Sequence, residues 1–183
     1  MLKIKKTDNP IAIRSQKLIC QSFLKKMYEK PYDKITITEV CMDAKLVRET
    51  FYRNFSSKEA VVKKIIDEKF SQLHESSKKK SHVMIEDFFK AYFTYWERER
   101  DFLDLLIDNH LFTMMINKTT QSVYIKIDFI LGEEESERTK IYIASLYAGA
   151  INNLLFSWVK NDFEETPEEM TRILKSYSII FKK

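Results

Sequence analysis

The chain has 183 residues, of which 44% are hydrophobic, so it can form one domain of ordinary size or a small domain beside a larger one. Its two glycines and three prolines are too few for the turns of a β-sandwich, a β-barrel or a doubly wound sheet, and we therefore expect an all-α fold. Residues 1–58 carry 13 Lys and Arg against 6 Asp and Glu, a net +7, whereas residues 59–183 carry 18 against 21, a net −3, so the basic segment is the candidate for binding a polyanion.

The first predicted elements are two helices separated by a loop. Residues 11–29 place apolar side chains at helical spacing, with basic side chains on the opposite side. Pro31 interrupts this pattern, because proline lacks a backbone donor and disfavours helical geometry in the residue before it. The sequence TITE that begins at Thr36 is a capping box, in which Thr36 and Glu39 satisfy each other's backbone amides. A short helix is therefore expected over residues 36–44.

A third short helix is predicted near residues 47–55. Phe51 and Phe55 are four residues apart and should face inward from the same side of the helix. Two short helices with a tight connection, supported by a helix on each side, are typical of a helix-turn-helix that binds DNA. A solvated face on an ordinary helical bundle is the alternative. The side chains left facing outward are Arg48, Glu49, Tyr52 and Arg53.

Further helical patterns bring the expected total to about nine helices. We expect a helix-turn-helix domain over residues 1–58 and a helical effector-binding and dimerisation domain over residues 59–183. Thr166, Pro167 and two following glutamates form a strong start signal for the last helix. The remaining predicted helices cover residues 60–74, after an N-cap signal at residues 56–59, and residues 82–98, 101–109, 110–131, 136–161 and 167–181.

The segment ITITEVCMDAKLVRETFYRNFSSKEAVV resembles the DNA-binding half of the TetR/AcrR family of transcriptional regulators. The resemblance covers about residues 14–62, and the KPYDKITI and R-x-TFY sequences are similar to the subgroup that includes dihydroxyacetone-operon regulators. The family pattern is a threonine, an apolar-Ala pair, a small turn and then T-apolar-Y-x-x-F-x-x-K. The matching positions here are Thr36, Val40, Cys41, Thr50, Phe51, Tyr52, Phe55 and Lys58.

This resemblance implies a role for each side chain on the DNA-facing side. Tyr52 and Lys58 are expected to contact phosphates, and residues 36–38 to dock the start of the second helix on the DNA backbone. Arg48, Glu49, Thr50 and Arg53 are expected to read bases. The full predicted DNA-binding set is Thr36, Ile37, Thr38, Val47, Arg48, Glu49, Thr50, Tyr52, Arg53, Asn54 and Lys58.

Three positions depart from the family pattern. Lys45 occupies the place of the turn glycine and would carry a cost of order 1 kcal/mol in a left-handed conformation. Val47 stands where a polar N-cap is usual. Glu49 replaces a small residue, and a carboxylate near phosphates is unfavourable unless it accepts from a cytosine amine or holds an arginine in place.

The resemblance also implies that the rest of the chain is a helical ligand-binding and dimerisation domain, with the last two long helices pairing across a homodimer. Residues 141–183 fit this expectation, because the apolar pattern of 141–159 is nearly all-round and includes small residues. An ordinary core helix would explain the same pattern. The predicted interface residues are Leu146, Gly149, Asn153, Phe156, Ile173 and Tyr177.

Aromatic side chains and methionines between residues 88 and 147 could line an apolar cavity for a small effector. The alternative is that they fill the core. The predicted pocket residues are Tyr92, Tyr95, Trp96, Phe112, Met115, Tyr124 and Tyr147.

Other classes of function find little support in the sequence. The three histidines are scattered without the spacing of a metal or hydrolytic site, and Cys20 and Cys41 stand apart as expected buried thiols. We predict no catalytic residues, metal or cofactor. Because charges break every apolar run before a membrane span is complete, we expect a soluble, cytoplasmic protein.

The sequence therefore predicts a regulator, most simply a repressor, that binds near-palindromic double-stranded operator DNA as a homodimer and is released by a small apolar effector. The alternative is a family-like dimer that does not sense an effector and acts as an activator or with a partner protein.

Overall fold

A computed structural model of the chain describes residues 9–77, 85–125, 127–131 and 135–177. Every regular element within these ranges is helical, which confirms the predicted all-α fold class. The helices are α1 (Pro10–Glu29), α2 (Ile37–Asp43), α3 (Arg48–Asn54), α4 (Lys58–Ser77), α5 (Ile85–Arg98), α6 (Arg100–Asp108), α7 (Met115–Tyr124), α8 (Ile127–Leu131), α9 (Glu137–Lys160) and α10 (Pro167–Tyr177).

The chain divides into two compact units, unit 1 (Met1–Glu68) and unit 2 (Lys69–Lys183). The division falls inside α4. The domain boundary predicted from the sequence, after residue 58, lies at the start of the same helix.

In unit 1, α1 begins directly after a side-chain cap and buries one apolar stripe. The Asn9 side chain accepts from the Ile11 amide at 3.0 Å, and Pro10 occupies the first helical position, where a missing amide costs nothing. The stripe includes Ile19 and Phe23, both 0% exposed. These side chains form the core of unit 1 with apolar residues of α2, α3 and α4, among them Val40, Phe51 and Val61.

The connection between α2 and α3 is a Schellman turn built without glycine. Lys45 has φ 55°, in the left-handed region. The Leu46 amide donates to the Cys41 carbonyl at 2.9 Å, and the Lys45 amide donates to the Met42 carbonyl at 3.1 Å, which satisfies the last carbonyls of α2. The expected left-handed geometry at Lys45 is therefore present.

Unit 2 is organised around aromatic rings. Phe93 and Trp96 are 0% exposed and Trp158 is 1% exposed. The Phe93 and Trp158 ring centroids lie 5.7 Å apart, edge to face, which adds a directional contribution to the burial of both rings. Around this core, α7 packs mainly against α9, and α10 packs against α5.

The single helix predicted over residues 110–131 is wrong in its boundaries. His110 adopts φ 58°, and the Leu111 amide donates to the Leu106 carbonyl at 2.7 Å in a second Schellman turn that ends α6. A 3₁₀ turn (Phe112–Met114) follows, and then α7 and α8 as separate helices. Residues 110–131 contain no glycine or proline that would mark these breaks in the apolar pattern.

Candidate functional site

The outer face of α3 carries a compact group of polar side chains. Phe51 is 0% exposed and fixes the inner face of the helix, while Tyr52 remains 52% exposed. Arg48, Glu49 and Arg53 are also exposed. Since the major groove of DNA is wide enough for an α-helix, the outward side chains of this helix are the ones that can meet base edges.

The α3 side chains interact with one another on this face. An Arg53 guanidinium nitrogen lies 2.7 Å from a Glu49 carboxylate oxygen. An Arg48 nitrogen donates to the Tyr52 hydroxyl at 3.4 Å, and the Arg48 guanidinium lies 6.0 Å from the centre of the Tyr52 ring. Glu49 therefore holds Arg53 in place. This is one of the two roles that would explain a carboxylate at this position.

Two other predicted DNA-binding residues, at the two ends of α3, are placed differently. The Asn54 amide nitrogen donates to the Thr50 carbonyl at 2.8 Å, so this side chain closes the end of α3. Val47 precedes α3 as its N-cap with an exposed side chain that makes no capping hydrogen bond, as the sequence predicts for a valine at this position.

The start of α2 is fixed by the predicted capping box and an ion pair. The Glu39 amide donates to the Thr36 hydroxyl at 3.3 Å, and the Thr36 amide donates to the Glu39 carboxylate at 3.1 Å. The Lys30 ammonium lies 2.6 Å from the second Glu39 oxygen. The hydrogen bond from Lys30 and those from Thr36 hold the pKa of Glu39 below its usual value. Thr36 and Thr38 are exposed and Ile37 is half-buried.

The Lys58 ammonium, at the first position of α4, is directed inward. It donates to the backbone carbonyls of Tyr32 at 3.0 Å and Ile35 at 3.1 Å, with the Asp33 carbonyl at 3.5 Å. It also lies 4.5 Å from the centre of the Tyr32 ring.

In unit 2, a groove of about 650 Å³ opens beside α9. Its walls come from the end of α6, the turn that follows it, the start of α7 and one face of α9. This volume is within the range of about 300–1,000 Å³ found for small-molecule sites. The lining residues are Ile107, Asp108, His110, Phe112, Thr113, Ile116, Gly149, Asn152, Asn153, Phe156 and Lys160.

A buried polar contact lies at the edge of the groove. Asn152 is 3% exposed, and its amide nitrogen donates to the Ala148 carbonyl at 2.7 Å. The hydroxyl of Thr119, on α7, lies 3.2 Å from the Asn152 side-chain oxygen. Because both polar groups are buried, this contact fixes α7 relative to α9 next to the groove.

An exposed apolar stripe runs along α9. Ile141 is 52% exposed, Tyr142 67%, Leu146 57% and Phe156 39%. Gly149 lies between the two ends of the stripe, and a side chain added there would meet nothing within 4 Å. We call Ile141, Tyr142, Leu146, Gly149 and Phe156 the α9 stripe.

A family model described as a transcriptional regulator C-terminal region, of the TetR class, matches residues 84–179, more than half of the chain. The chain belongs to the TetR family of transcriptional regulators. Among curated proteins, no sequence matches it. The family assignment confirms the regulator resemblance read from residues 14–62, although the family model covers a different part of the chain. The narrower likeness to dihydroxyacetone-operon regulators stays a prediction.

In this TetR-family chain, most of the predicted pocket residues lie in the packed core. Tyr92, Trp96, Met115 and Tyr147 are each 0–1% exposed. Burial raises the pKa of the Tyr92 hydroxyl. Phe112 is the member of the predicted set that lines the groove.

The two remaining pocket predictions are tyrosines with acceptors outside the core. The Tyr95 hydroxyl donates to the Gln72 side chain at 3.0 Å. The Tyr124 hydroxyl donates to Glu137. The other groove residues were not predicted as pocket residues, because they come from α6, the turn after it, α7 and α9 and share no local motif.

Four of the predicted dimer residues lie along one side of α9. Leu146, Asn153 and Phe156 are exposed and Gly149 is half-buried. Ile173, on α10, is half-buried. Tyr177 ends α10, and its side chain is outside the described residues.

Residues 9–77, 85–125, 127–131 and 135–177 contain neither a membrane-spanning helix nor a metal-binding cluster. No helix in that part of the chain is long and apolar enough to cross a membrane. No group of three or more His, Cys, Asp or Glu side chains there is arranged to hold a metal ion. Cys20 and Cys41 are both buried free thiols, as expected, and burial raises the pKa of Cys20 to about 12.

Proposed function

We propose that this TetR-family regulator binds near-palindromic operator DNA as a cytoplasmic homodimer and represses transcription, with α3 of each protomer in the major groove. The observation that carries the proposal is the arrangement of α3: Phe51 fixes its inner face, and Arg48, Tyr52 and Arg53 extend from its outer face. The net +7 of residues 1–58 supplies long-range attraction to a polyanion.

Each outward side chain has a distinct proposed role. Arg48 reads a guanine, because its guanidinium can form two parallel hydrogen bonds to the major-groove edge. Tyr52 contacts a phosphate through its hydroxyl, and the exposed Thr36 and Thr38 dock the start of α2 on the backbone. Glu49 orients Arg53 through their 2.7 Å ion pair.

The test is selection of bound fragments from random duplex DNA by the purified protein at near-physiological salt. Two half-sites with centres about one helical turn apart, roughly 10 base pairs or a multiple, are expected for a two-fold dimer. Affinity for the selected site should fall steeply between 50 and 200 mM salt, because each phosphate contact releases counterions. Recovery of no enriched motif, or an affinity independent of salt, would refute operator binding.

The α9 stripe supports the dimerisation part of the proposal. Its exposed apolar side chains would be shielded from water by the same stripe of a second copy, and the small Gly149 would allow close approach of the two helices. Sedimentation velocity of the protein at micromolar concentration should give a dimer, whereas a monomer would contradict this assignment.

We propose the groove beside α9 as the effector site, in preference to the predicted aromatic cluster. The aromatic cluster is filled by its own rings, whereas the groove is open and combines apolar side chains, such as Ile116, with polar and charged ones, such as Lys160. Gly149, Asn153 and Phe156 belong both to the groove and to the proposed dimer surface. An effector bound there would therefore alter the dimer contact directly, which favours the effector-responsive function over the alternative of a regulator without effector sensing.

The effector proposal can be tested with the apolar fluorescent anion anilinonaphthalene sulfonate. Wild-type protein should enhance its fluorescence, and Ile116→Glu, which replaces an exposed apolar groove residue outside the α9 stripe by a carboxylate, should reduce that enhancement. Ile125→Glu is the matched control, because Ile125 is exposed on unit 2 outside the groove. Equal dye binding by wild-type protein and Ile116→Glu would reject the groove as the site.

A further inference from the structure

The Lys58 ammonium sits in a cage of backbone carbonyls. An ammonium has three N–H donors and no acceptor, and three carbonyl oxygens, those of Tyr32, Asp33 and Ile35, lie 3.0–3.5 Å from this one. The Tyr32 ring, 4.5 Å away, covers one side of the cation. In this arrangement, the donors that would bind a phosphate are directed at the protein's own backbone.

These carbonyls belong to the turn that connects α1 to α2. The turn is a single 3₁₀ helix (Tyr32–Lys34), held internally by hydrogen bonds of 3.0 Å from the Lys34 amide to Pro31 and 3.1 Å from the Ile35 amide to Tyr32. The next residue, Thr36, is the N-cap of α2. Anything that fixes the turn therefore fixes the point and the direction at which α2 begins.

A second lysine fixes the same connection from its other end. Lys30 follows α1 and forms its 2.6 Å ion pair with Glu39, which belongs to the α2 capping box. Lys30 thus links the end of α1 to the first turn of α2, and Lys58 links the intervening turn to the start of α4. The start of α2 is then tied to both supporting helices of unit 1.

We propose that Lys58 is a positioning residue, whose ammonium holds the turn before α2 against the start of α4 and so sets the placement of the helix-turn-helix, rather than a phosphate contact. This inference rests on the proposed DNA-binding function. It replaces the phosphate contact that the family resemblance implies for Lys58.

The distinction predicts opposite behaviour for an arginine at this position. A planar guanidinium binds phosphate at least as well as an ammonium, but its donors lie in a fixed fork and do not converge on a small cage of carbonyls. Lys58→Arg should therefore preserve a phosphate contact and disrupt a positioning contact. Lys58→Gln should remove the cation in both cases. Lys63, exposed on the same helix, gives the matched controls Lys63→Arg and Lys63→Gln.

The experiment measures affinity for the selected operator and for a scrambled duplex of equal length, at several salt concentrations and at a temperature where each variant is fully folded by circular dichroism. We expect Lys58→Arg and Lys58→Gln to bind the operator about tenfold or more weakly, because charge-assisted hydrogen bonds are lost. Affinity for the scrambled duplex and the salt slope should stay as in wild type. The Lys63 variants should keep the ratio of operator to scrambled affinity.

Two results would overturn the inference. Wild-type operator affinity in Lys58→Arg, together with a salt slope reduced by about 0.9 per protomer in Lys58→Gln, would restore the phosphate contact. Unchanged operator affinity in both folded variants, with only a lower melting temperature, would reduce Lys58 to a general stabilising residue.

Hydrogen exchange without DNA separates this inference from the proposed function. Amides of residues 34–44 should exchange faster in Lys58→Arg than in Lys63→Arg. If wild-type protein binds no operator but this difference is present, the DNA-binding proposal fails and the Lys58 contact stands. If wild-type protein binds operator and the difference is absent, the Lys58 inference fails alone.

Discussion

Unit 1 and unit 2 each have a buried apolar core, but unit 1 adds a set of polar contacts at the start of a short helix. In unit 1, the short helices α2 and α3 have few core residues of their own, and polar contacts set where α2 begins: the Thr36 capping box, the Lys30–Glu39 pair and the Lys58 cage. In unit 2, longer helices enclose a core of aromatic rings, including Phe93, Trp96 and Trp158.

Each kind of stabilisation suits the surface that its unit presents. Polar capping contacts contribute little stability each, but they are directional, so they suit a unit whose outward side chains must match DNA. Aromatic packing contributes more per residue and leaves the exposed side of α9 free to carry apolar side chains. The proposed function of unit 1 thus depends on where its helices lie, whereas the stability of unit 2 depends on how well its core is packed.

The largest effect is expected from removing a ring in unit 2. Phe93→Ala should destabilise the protein by about 3–5 kcal/mol, because the cavity beside Trp158 cannot fully collapse. Thr36→Ala in unit 1 should cost about 1 kcal/mol, the usual worth of an N-cap. The chain's two tryptophans both lie in unit 2, so urea denaturation followed by tryptophan fluorescence reports that unit.

Hydrogen exchange of the α2 amides is the matched readout for unit 1. It should respond to Thr36→Ala and not to Phe93→Ala at low denaturant. Equal destabilisation by the two substitutions would remove the difference between the units.

The second largest effect is expected on the α9 stripe. Leu146→Glu should raise the dimer dissociation constant by thirtyfold or more, because residues central to an interface typically contribute about 2 kcal/mol or more. Sedimentation equilibrium measures this shift, and circular dichroism should show that helix content is kept, since Leu146 is 57% exposed in the single chain. Glu164→Gln, at an exposed position between α9 and α10, is the control. A dimer unaffected by Leu146→Glu would place the interface elsewhere.

A third, smaller effect concerns Lys45 in unit 1 and His110 in unit 2, two of the four non-glycine residues with a left-handed conformation in the described ranges. Lys45 and His110 have φ of 55° and 58°, which costs a residue with a Cβ about 1–2 kcal/mol, whereas glycine adopts this conformation freely. After allowance for the greater freedom of unfolded glycine, Lys45→Gly and His110→Gly should each stabilise by about 0.5–1 kcal/mol. Met42→Gly, inside α2, should instead destabilise by about 1 kcal/mol. Thermal denaturation measures all three, and a loss of stability in Lys45→Gly would contradict the turn geometry.

The smallest effect is a pH dependence confined to unit 1. Lys30 and the Thr36 amide hold the pKa of Glu39 below its usual value of 4.5, so the ionised carboxylate stabilises the fold above about pH 4.5. This contribution is lost as the pH falls through the lowered pKa, when the carboxylate becomes protonated. Glu39→Gln should reduce the acid sensitivity of α2 hydrogen exchange between pH 6 and pH 3.5. The same acid response in both proteins would show that Glu39 does not contribute.

The start of α2 was predictable from sequence because its signals are local. A capping box uses residues three apart, so Thr36 and Glu39 identify it without any tertiary information. The inner face of α3 follows equally from the four-residue spacing of Phe51 and Phe55.

Other features depend on contacts between residues distant in sequence. The 3₁₀ turn (Phe112–Met114) and the division of α7 from α8 carry no glycine or proline to mark them, so apolar periodicity alone predicted one helix over residues 110–131. Aromatic composition cannot distinguish a filled core from a cavity, because the difference lies in how rings from α5 and α9 pack. The Lys58 cage joins positions 23–26 residues apart, and the groove joins α6, α7 and α9.

The central claim is that α3 reads operator DNA. Its most direct test repeats the random-duplex selection with Arg48→Ala and compares the motif with that of wild type. We predict that the motif and its half-site spacing are retained but that preference at one base pair in each half-site is lost, a change of about 1–3 kcal/mol at that position. A motif identical to that of wild type at every position would contradict the assignment of Arg48, and with it the orientation of α3 on the DNA.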